Sequence, residues 1–258
     1  MGARPFRRFG MLAALCLTLA GGIGADAAPL ISRHRPMILR HIREGAASSL
    51  NWSGYAVTGP NGSVQDVKGS WTVPTVTCTN GTQYSSFWVG IDGFNSNTVE
   101  QIGTDADCHS GSPAYYAWFE FYPHPMFTIN NFEIKPGDVI SAEVTYASRQ
   151  FTVSLHNSRT GQMFSTSTRV SNARRSSAEW VAEAPSSAGG ILPLADFGTV
   201  SYTANTASVN KTLDAAIGSF TNNYAITMVD ASGNVKAQPS PLGTDLSSFS
   251  VQWLSAGP

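Results

Sequence analysis

From Asn51 onward, apolar and polar residues alternate with a period of two in short runs broken by turn residues. The runs predict strands over Ser53–Val57, Val64–Thr72, Ser85–Ile91, Thr98–Ile102, Ala114–Tyr122, Val139–Tyr146, Phe151–Asn157, Gln162–Val170, Ala178–Ala184, Asp196–Ala204 and Ser248–Leu254. Turn chemistry separates them: Gly59-Pro-Asn-Gly62, Lys135-Pro-Gly-Asp138, Arg159-Thr-Gly-Gln162 and Ser232-Gly-Asn234. Lys211–Gly218 reads as a short helix and Ser186–Gly190 as a flexible loop. Many short strands at this spacing predict an all-β antiparallel sandwich.

The same alternation assigns faces. Tyr115, Ala117, Phe119 and Phe121 form an apolar set suited to the core, while Tyr116, Trp118, Glu120 and Tyr122 point the other way and suit a cleft that grips a polymer. Phe87, Val89 and Ile91 turn to the core, with Trp88, Gly90 and Asp92 opposite. Glu179, Val181 and Glu183 share one face, and Trp180, Ala182 and Ala184 the other.

The N-terminal fifty residues have a different pattern. Arg4, Arg7 and Arg8 precede an apolar stretch from Met11 to Ile23 and a small-residue site at Ala25-Asp-Ala-Ala28, which predicts a signal peptide over residues 1–28 and a secreted product. Residues 29–50, basic and not strand-like, read as a propeptide that pairs with an acidic cleft. The folded domain then spans residues 51–258. Loss of Cys16 with the signal leaves Cys78 and Cys108, a pair suited to one disulfide in an oxidising compartment.

Charge sharpens this division. Seven of the 16 Lys and Arg and two of the 17 Asp and Glu precede Asn51, leaving nine basic against fifteen acidic residues after it. An acidic domain behind a basic leader excludes nucleic-acid binding through a basic face. After signal removal no stretch is long enough to span a bilayer.

Standard catalytic signatures are absent from the sequence. It holds no His-Glu-x-x-His, no Gly-x-Ser-x-Gly, no phosphate loop, no cysteines at metal spacing and no Asp-Thr-Gly. His109, His124 and His156 read as surface or turn histidines. Asp105 and Asp107 are too few to define a calcium site. Neither a metal nor a cofactor is expected.

Seven motifs carry a resemblance. Asn51-Trp-Ser-Gly-Tyr-Ala, Trp71-Thr-Val-Pro, Phe87-Trp-Val-Gly-Ile-Asp-Gly, Glu100-Gln-Ile-Gly, Tyr116-Ala-Trp-Phe-Glu-Phe-Tyr-Pro, Ala178-Glu-Trp-Val-Ala-Glu-Ala-Pro and Leu192-Pro-Leu-Ala-Asp-Phe-Gly occur in that order. Together they resemble the glutamic peptidases, or eqolisins, from about Asn51 to about Thr203. The resemblance implies a lectin-like β-sandwich of two curved sheets with a concave substrate cleft. It implies Gln101 and Glu183 as catalytic residues, with Trp88 and Glu120 in the substrate cleft. Asp92 matches the acid after Val-Gly-Ile, and Trp118 shares the cleft face. Tyr116 stands where fungal members often carry an acid.

That chemistry is self-consistent. An ionised glutamate activates water, and a glutamine amide donates to the oxyanion without titrating in acid. The expected partners are polypeptide substrates and the chain's own propeptide, with a monomeric enzyme. Two alternatives stand beside this reading: a carbohydrate-binding lectin-like module using the aromatic face around Trp118, and a glycosidase pairing Glu120 with Glu183.

Overall fold

The computed structural model describes residues 1–2 and 34–257. The rest of the predicted signal segment, Cys16 and residues 29–33 of the predicted propeptide lie outside the described residues. Strands β1 (Leu39–Arg43) and β2 (Ala46–Ser49) form a hairpin, followed by β3 (Trp52–Thr58), β4 (Val64–Thr72), β5 (Ser86–Ile91), β6 (Val99–His109) and β7 (Ser112–Tyr122). Next come β8 (Phe127–Thr128), β9 (Val139–Ala147), β10 (Gln150–Asn157), β11 (Met163–Thr168) and β12 (Ser177–Glu183). Strands β13 (Ser186–Ser187) and β14 (Gly190–Ile191) make a small separate pair. The chain ends with β15 (Thr199–Val209), β16 (Thr212–Ala216), β17 (Asn223–Val229), β18 (Val235–Pro239) and β19 (Phe249–Trp253).

The pairings resolve into two layers. The front layer runs β8-β7-β6-β5-β12-β3-β17-β2-β1, antiparallel throughout except for the parallel β17–β2 contact. The back layer runs β11-β10-β9-β4-β15-β19-β18, with β16 paired to the far end of β15. Strand β18 also pairs briefly with β17 and joins the layers at one edge.

The alternation read from the sequence becomes the core between these layers. Phe87, Val89, Ile91, Ala117, Phe121, Trp180 and Ala182 from the front meet Val67, Trp71, Ile140, Val144, Phe151 and Val153 from the back. Two polar tips cross the interface with their hydrogen bonds satisfied: Trp180 Nε1 donates to the Lys68 carbonyl at 2.9 Å, and the Tyr202 hydroxyl to the Val181 carbonyl at 2.6 Å. The back strands keep the alternation visible in their exposure, as in β9 and β10. In contrast, β5 and β12 are buried at every position because both of their faces are covered. A Cys78–Cys108 disulfide ties the segment before β5 to the end of β6.

Several expectations need correction. Residues 39–49 are strands, not an irregular leader. Gly45, at φ 69°, turns the hairpin, and the all-exposed, arginine-bearing β1 is an edge strand of the kind that charge keeps soluble. Lys211–Gly218 is no helix: Asn210, at φ 58°, reverses the chain into β16, and a single 3₁₀ turn follows over Ile217–Ser219. The expected loop at Ser186–Gly190 is mostly the β13–β14 pair. Strand β17, which lies between β3 and β2, and strand β18, at the end of the back layer, were not singled out by the sequence pattern. No helix among the described residues is long and apolar enough to cross a membrane.

Candidate active site

The register of four neighbouring front strands writes the site out row by row. In one row Glu183 of β12 lies beside Ser86 of β5, Asp105 of β6 and Tyr116 of β7. In the next row are Val181, Trp88, Gly103 and Trp118. In the third are Glu179, Gly90, Gln101 and Glu120. Side chains two apart share a face, so Glu183, Trp88, Trp118, Gln101 and Glu120 all project from the outer face of the front layer. Gly103 sits in the middle row with no side chain. A Cβ there would lie 2.4 Å from the Phe87 carbonyl oxygen and 2.6 Å from Trp88 Cβ. This glycine lets Trp88 and Trp118 flank the gap between the glutamine and the glutamate.

Trp88 Nε1 donates to Glu183 Oε2 at 2.8 Å, and the Trp88 ring meets Trp52 edge-on at 4.9 Å between centroids. Gln101 Nε2 donates to Glu120 Oε2 at 3.3 Å. Burial pushes the Glu183 carboxyl well above its usual range. The Trp88 and Asn51 side chains hold it down, and the charges of Glu120 and Asp105 raise it further. Tyr116 brings its hydroxyl to 2.8 Å from Asp105 Oδ2 and 2.8 Å from Asp107 Oδ2. Burial raises Asp105 to about 7 and Asp107 well above its ordinary value. These two acids therefore converge on a tyrosine hydroxyl.

Gln101 and Glu183 are both buried, and the chain's own N-terminal segment lies over them. Gln101 Nε2 donates to the main-chain carbonyl of His34 at 2.6 Å, and the His34 N–H donates to Glu120 Oε2 at 2.9 Å. The His34 ring places Nδ1 3.4 Å from Glu183 Oε2. No direct hydrogen bond links Gln101 to Glu183; His34 bridges them. Downstream, Trp52 Nε1 donates to the Arg35 carbonyl at 3.1 Å, and Asn51 Nδ2 donates to the Arg35 and Pro36 carbonyls, each at 3.3 Å.

Five of the six predicted catalytic and substrate-binding residues thus gather around His34, and Asp92 does not. Its Oδ1 accepts from the Ser176 N–H and hydroxyl, and its Oδ2 accepts from the Arg175 N–H at 2.6 Å. There it braces the turn that enters β12. Sequence reasoning gave no site role to His34, Asn51, Trp52 or Asp105, and it set Tyr116 on the cleft face without naming its partners. Asn51-Trp was visible as a motif without an assigned task, and His34 was hidden among the arginines of the leader. Among the described residues no leader arginine pairs with a cleft carboxyl, and the leader meets Glu183 and Asp105 through the His34 ring. Arg35 and Arg40 donate instead to the carbonyls of Ser187 and Ala231. A cavity of about 560 Å³ opens on the back layer beside Lys68, Glu143, His156 and Phe164, and contains none of the predicted site residues.

Known proteins resemble this chain in sequence and in fold. The profile of the Peptidase A4 family matches residues 50–248, and the chain belongs to that family, a family of glutamic peptidases. Aspergillopepsin-2 of Aspergillus niger is 31% identical over 180 residues, a match that takes in 60% of this chain and 63% of that protein. The chain therefore matches somewhat under two thirds of that relative's length. Among solved structures, scytalido-glutamic peptidase with a transition state analog inhibitor superposes with a TM-score of 0.66 at 24% identity, covering 79% of this chain and 98% of that one. Aspergilloglutamic peptidase from Aspergillus niger gives a TM-score of 0.58 at 25% identity, covering 67% of this chain and 99% of that one. The all-β sandwich is the fold these structures share.

Proposed function

We propose that this chain is a secreted, acid-acting glutamic endopeptidase made as a zymogen. The observation that carries the reading is a peptide carbonyl, that of His34, held at 2.6 Å by the Gln101 amide beside the Glu183 carboxyl. A substrate carbonyl held in the same way would develop its negative charge against a neutral donor that does not titrate. Glu183, ionised with the help of its Trp88 hydrogen bond once the N-terminal segment no longer covers it, takes a proton from water as the oxygen attacks the carbonyl carbon. It returns that proton to the departing amine as the C–N bond breaks. Glu120 accepts from the same Gln101 amide and so orients it. Trp88 fixes the position of the Glu183 carboxyl, and burial keeps bulk water from competing.

Membership of a peptidase family argues against the carbohydrate-binding and glycosidase readings. The test is digestion of acid-denatured casein near pH 3 by the full chain. Gln101→Ala should lose about 10²–10³ in kcat, and Glu183→Gln should abolish activity. Full activity in Glu183→Gln would sink the mechanism. Export is checked separately by finding the product in the culture medium with an N-terminus past Ala28. Size-exclusion chromatography with light scattering checks the expected monomer.

A further inference from the structure

His34 is fully buried, while every residue of the nearby basic strand β1 is exposed. Its ring stacks on Trp118 with centroids 3.6 Å apart and planes 11° from parallel. Nδ1 faces Glu183 at 3.4 Å, and Nε2 faces Asp105 Oδ2 at 3.9 Å. The main-chain groups of the same residue face Glu120 and Gln101. A side chain that combines a flat face with a nitrogen on each edge fits this recess. An aliphatic chain would forfeit the stack and leave two buried carboxyls facing carbon.

We propose that the recess bounded by Trp118, Glu183 and Asp105 is a histidine-binding subsite, filled here by His34, which blocks Gln101 with its carbonyl and Glu183 with its ring. The inference rests on the reading of Gln101 and Glu183 as the catalytic pair. It differs from electrostatic masking by a basic leader, because one imidazole and a run of main-chain bonds hold the segment in the cleft. The charged and titratable groups facing His34 are Glu183, Asp105 and Glu120, with Asp107 and Tyr116 behind Asp105. Burial lowers the imidazole well below its ordinary pKa, consistent with a neutral ring in the stack. The ligand class is a peptide with histidine at this position, whether the chain's own segment or one supplied in trans.

Two measurements on the full chain test this. In the Glu183→Gln protein, which cannot digest itself, the His34 ring protons should be shifted upfield in NMR spectra by the Trp118 ring and titrate well below the ordinary histidine range. Random-coil shifts with an ordinary titration would overturn the proposal. In casein digestion, His34→Ala should start without a lag and about tenfold faster than the unaltered chain. The peptide Arg-His-Arg-Pro-Met should restore inhibition of His34→Ala, and the same peptide with alanine for histidine should not. An unchanged lag in His34→Ala, or equal inhibition by both peptides, counts against the subsite. If no version digests casein, the peptidase reading fails, and the NMR result still decides whether His34 occupies the recess.

Discussion

The Trp88 indole N–H and the Glu183 carboxyl meet at 2.8 Å across two paired strands, with Trp88 register-matched to Val181, two residues before the glutamate. This hydrogen bond favours the ionised carboxylate against the burial that opposes it. Trp88→Phe keeps an aromatic wall and removes the donor. Glu183 should then ionise at higher pH, so less of the protein carries the proposed base in its ionised form under acid conditions. The acidic limb of the kcat/KM profile should move upward by somewhat less than about one pH unit, since such a bond is worth about 1 kcal/mol. A pH profile on a chromogenic peptide checks this. An unmoved acidic limb would mean that the indole acts only by packing.

Stability should run opposite to that of most proteins as pH rises. Glu100, Glu179, Glu183 and Asp107 are pushed well above their ordinary values, and Asp105 to about 7, each first of all by burial. In each case the folded state holds its proton more tightly than the unfolded chain. The stability they contribute is therefore fully present below the unfolded values of 3.8 and 4.5, and is lost as pH climbs through the folded ones. The Tm should fall steadily from pH 4 to pH 8. Differential scanning calorimetry across that range checks it, and a Tm that peaks near neutrality would show that these acids are solvated.

Tyr116 should matter for stability mainly when one of Asp105 and Asp107 is ionised. Its hydroxyl lies 2.8 Å from a carboxyl oxygen of each. One hydrogen cannot serve both, so one contact runs from a protonated carboxyl to the phenol oxygen. Tyr116→Phe removes a donor that holds both acids down. The cost should be about 2 kcal/mol at pH 7 and clearly smaller at pH 3, where both acids are neutral. Urea unfolding at the two pH values measures the difference. An equal loss at both would reduce the hydroxyl to a packing atom.

The front and back layers were legible because period-two alternation survives wherever one strand face packs and the other is wet, as in β9 and β10. It also placed Trp118 and Glu120 together, opposite Phe119 and Phe121. What stayed hidden has physical causes. Strand β1 carries arginines because it is an edge, so it reads as leader. Strand β16 follows a lysine and looks helical, yet the left-handed Asn210 decides its course. Asp92 and Trp88 share a face in the pattern. Only the turn at Arg175–Ser176, distant in sequence, shows that the aspartate is structural. His34 was invisible because the groups that bury it, Gln101, Trp118, Glu120 and Glu183, lie on strands far along the chain that no local pattern around residue 34 announces.

Gly103 is the position where the smallest change should do the most damage. In the middle row it faces Trp88 on one side and Trp118 on the other. A methyl group there would stand 2.4 Å from the Phe87 carbonyl, 2.6 Å from Trp88 Cβ and 3.0 Å from the Trp118 ring. The first of these is backbone in a paired strand and cannot give way alone. Gly103→Ala should therefore spread β5 from β6, tilt both indoles and displace the Trp88 N–H from Glu183. We expect a loss of about 1–3 kcal/mol in urea unfolding. The fall in kcat should exceed what the unfolded fraction explains if Glu183 is the catalytic base proposed above, because it loses its positioning donor. Gly81→Ala is the control, since a Cβ there meets nothing within 4 Å, and it should leave stability and casein digestion unchanged. Equal behaviour of the two variants would remove Gly103 from the account of how the cleft is built.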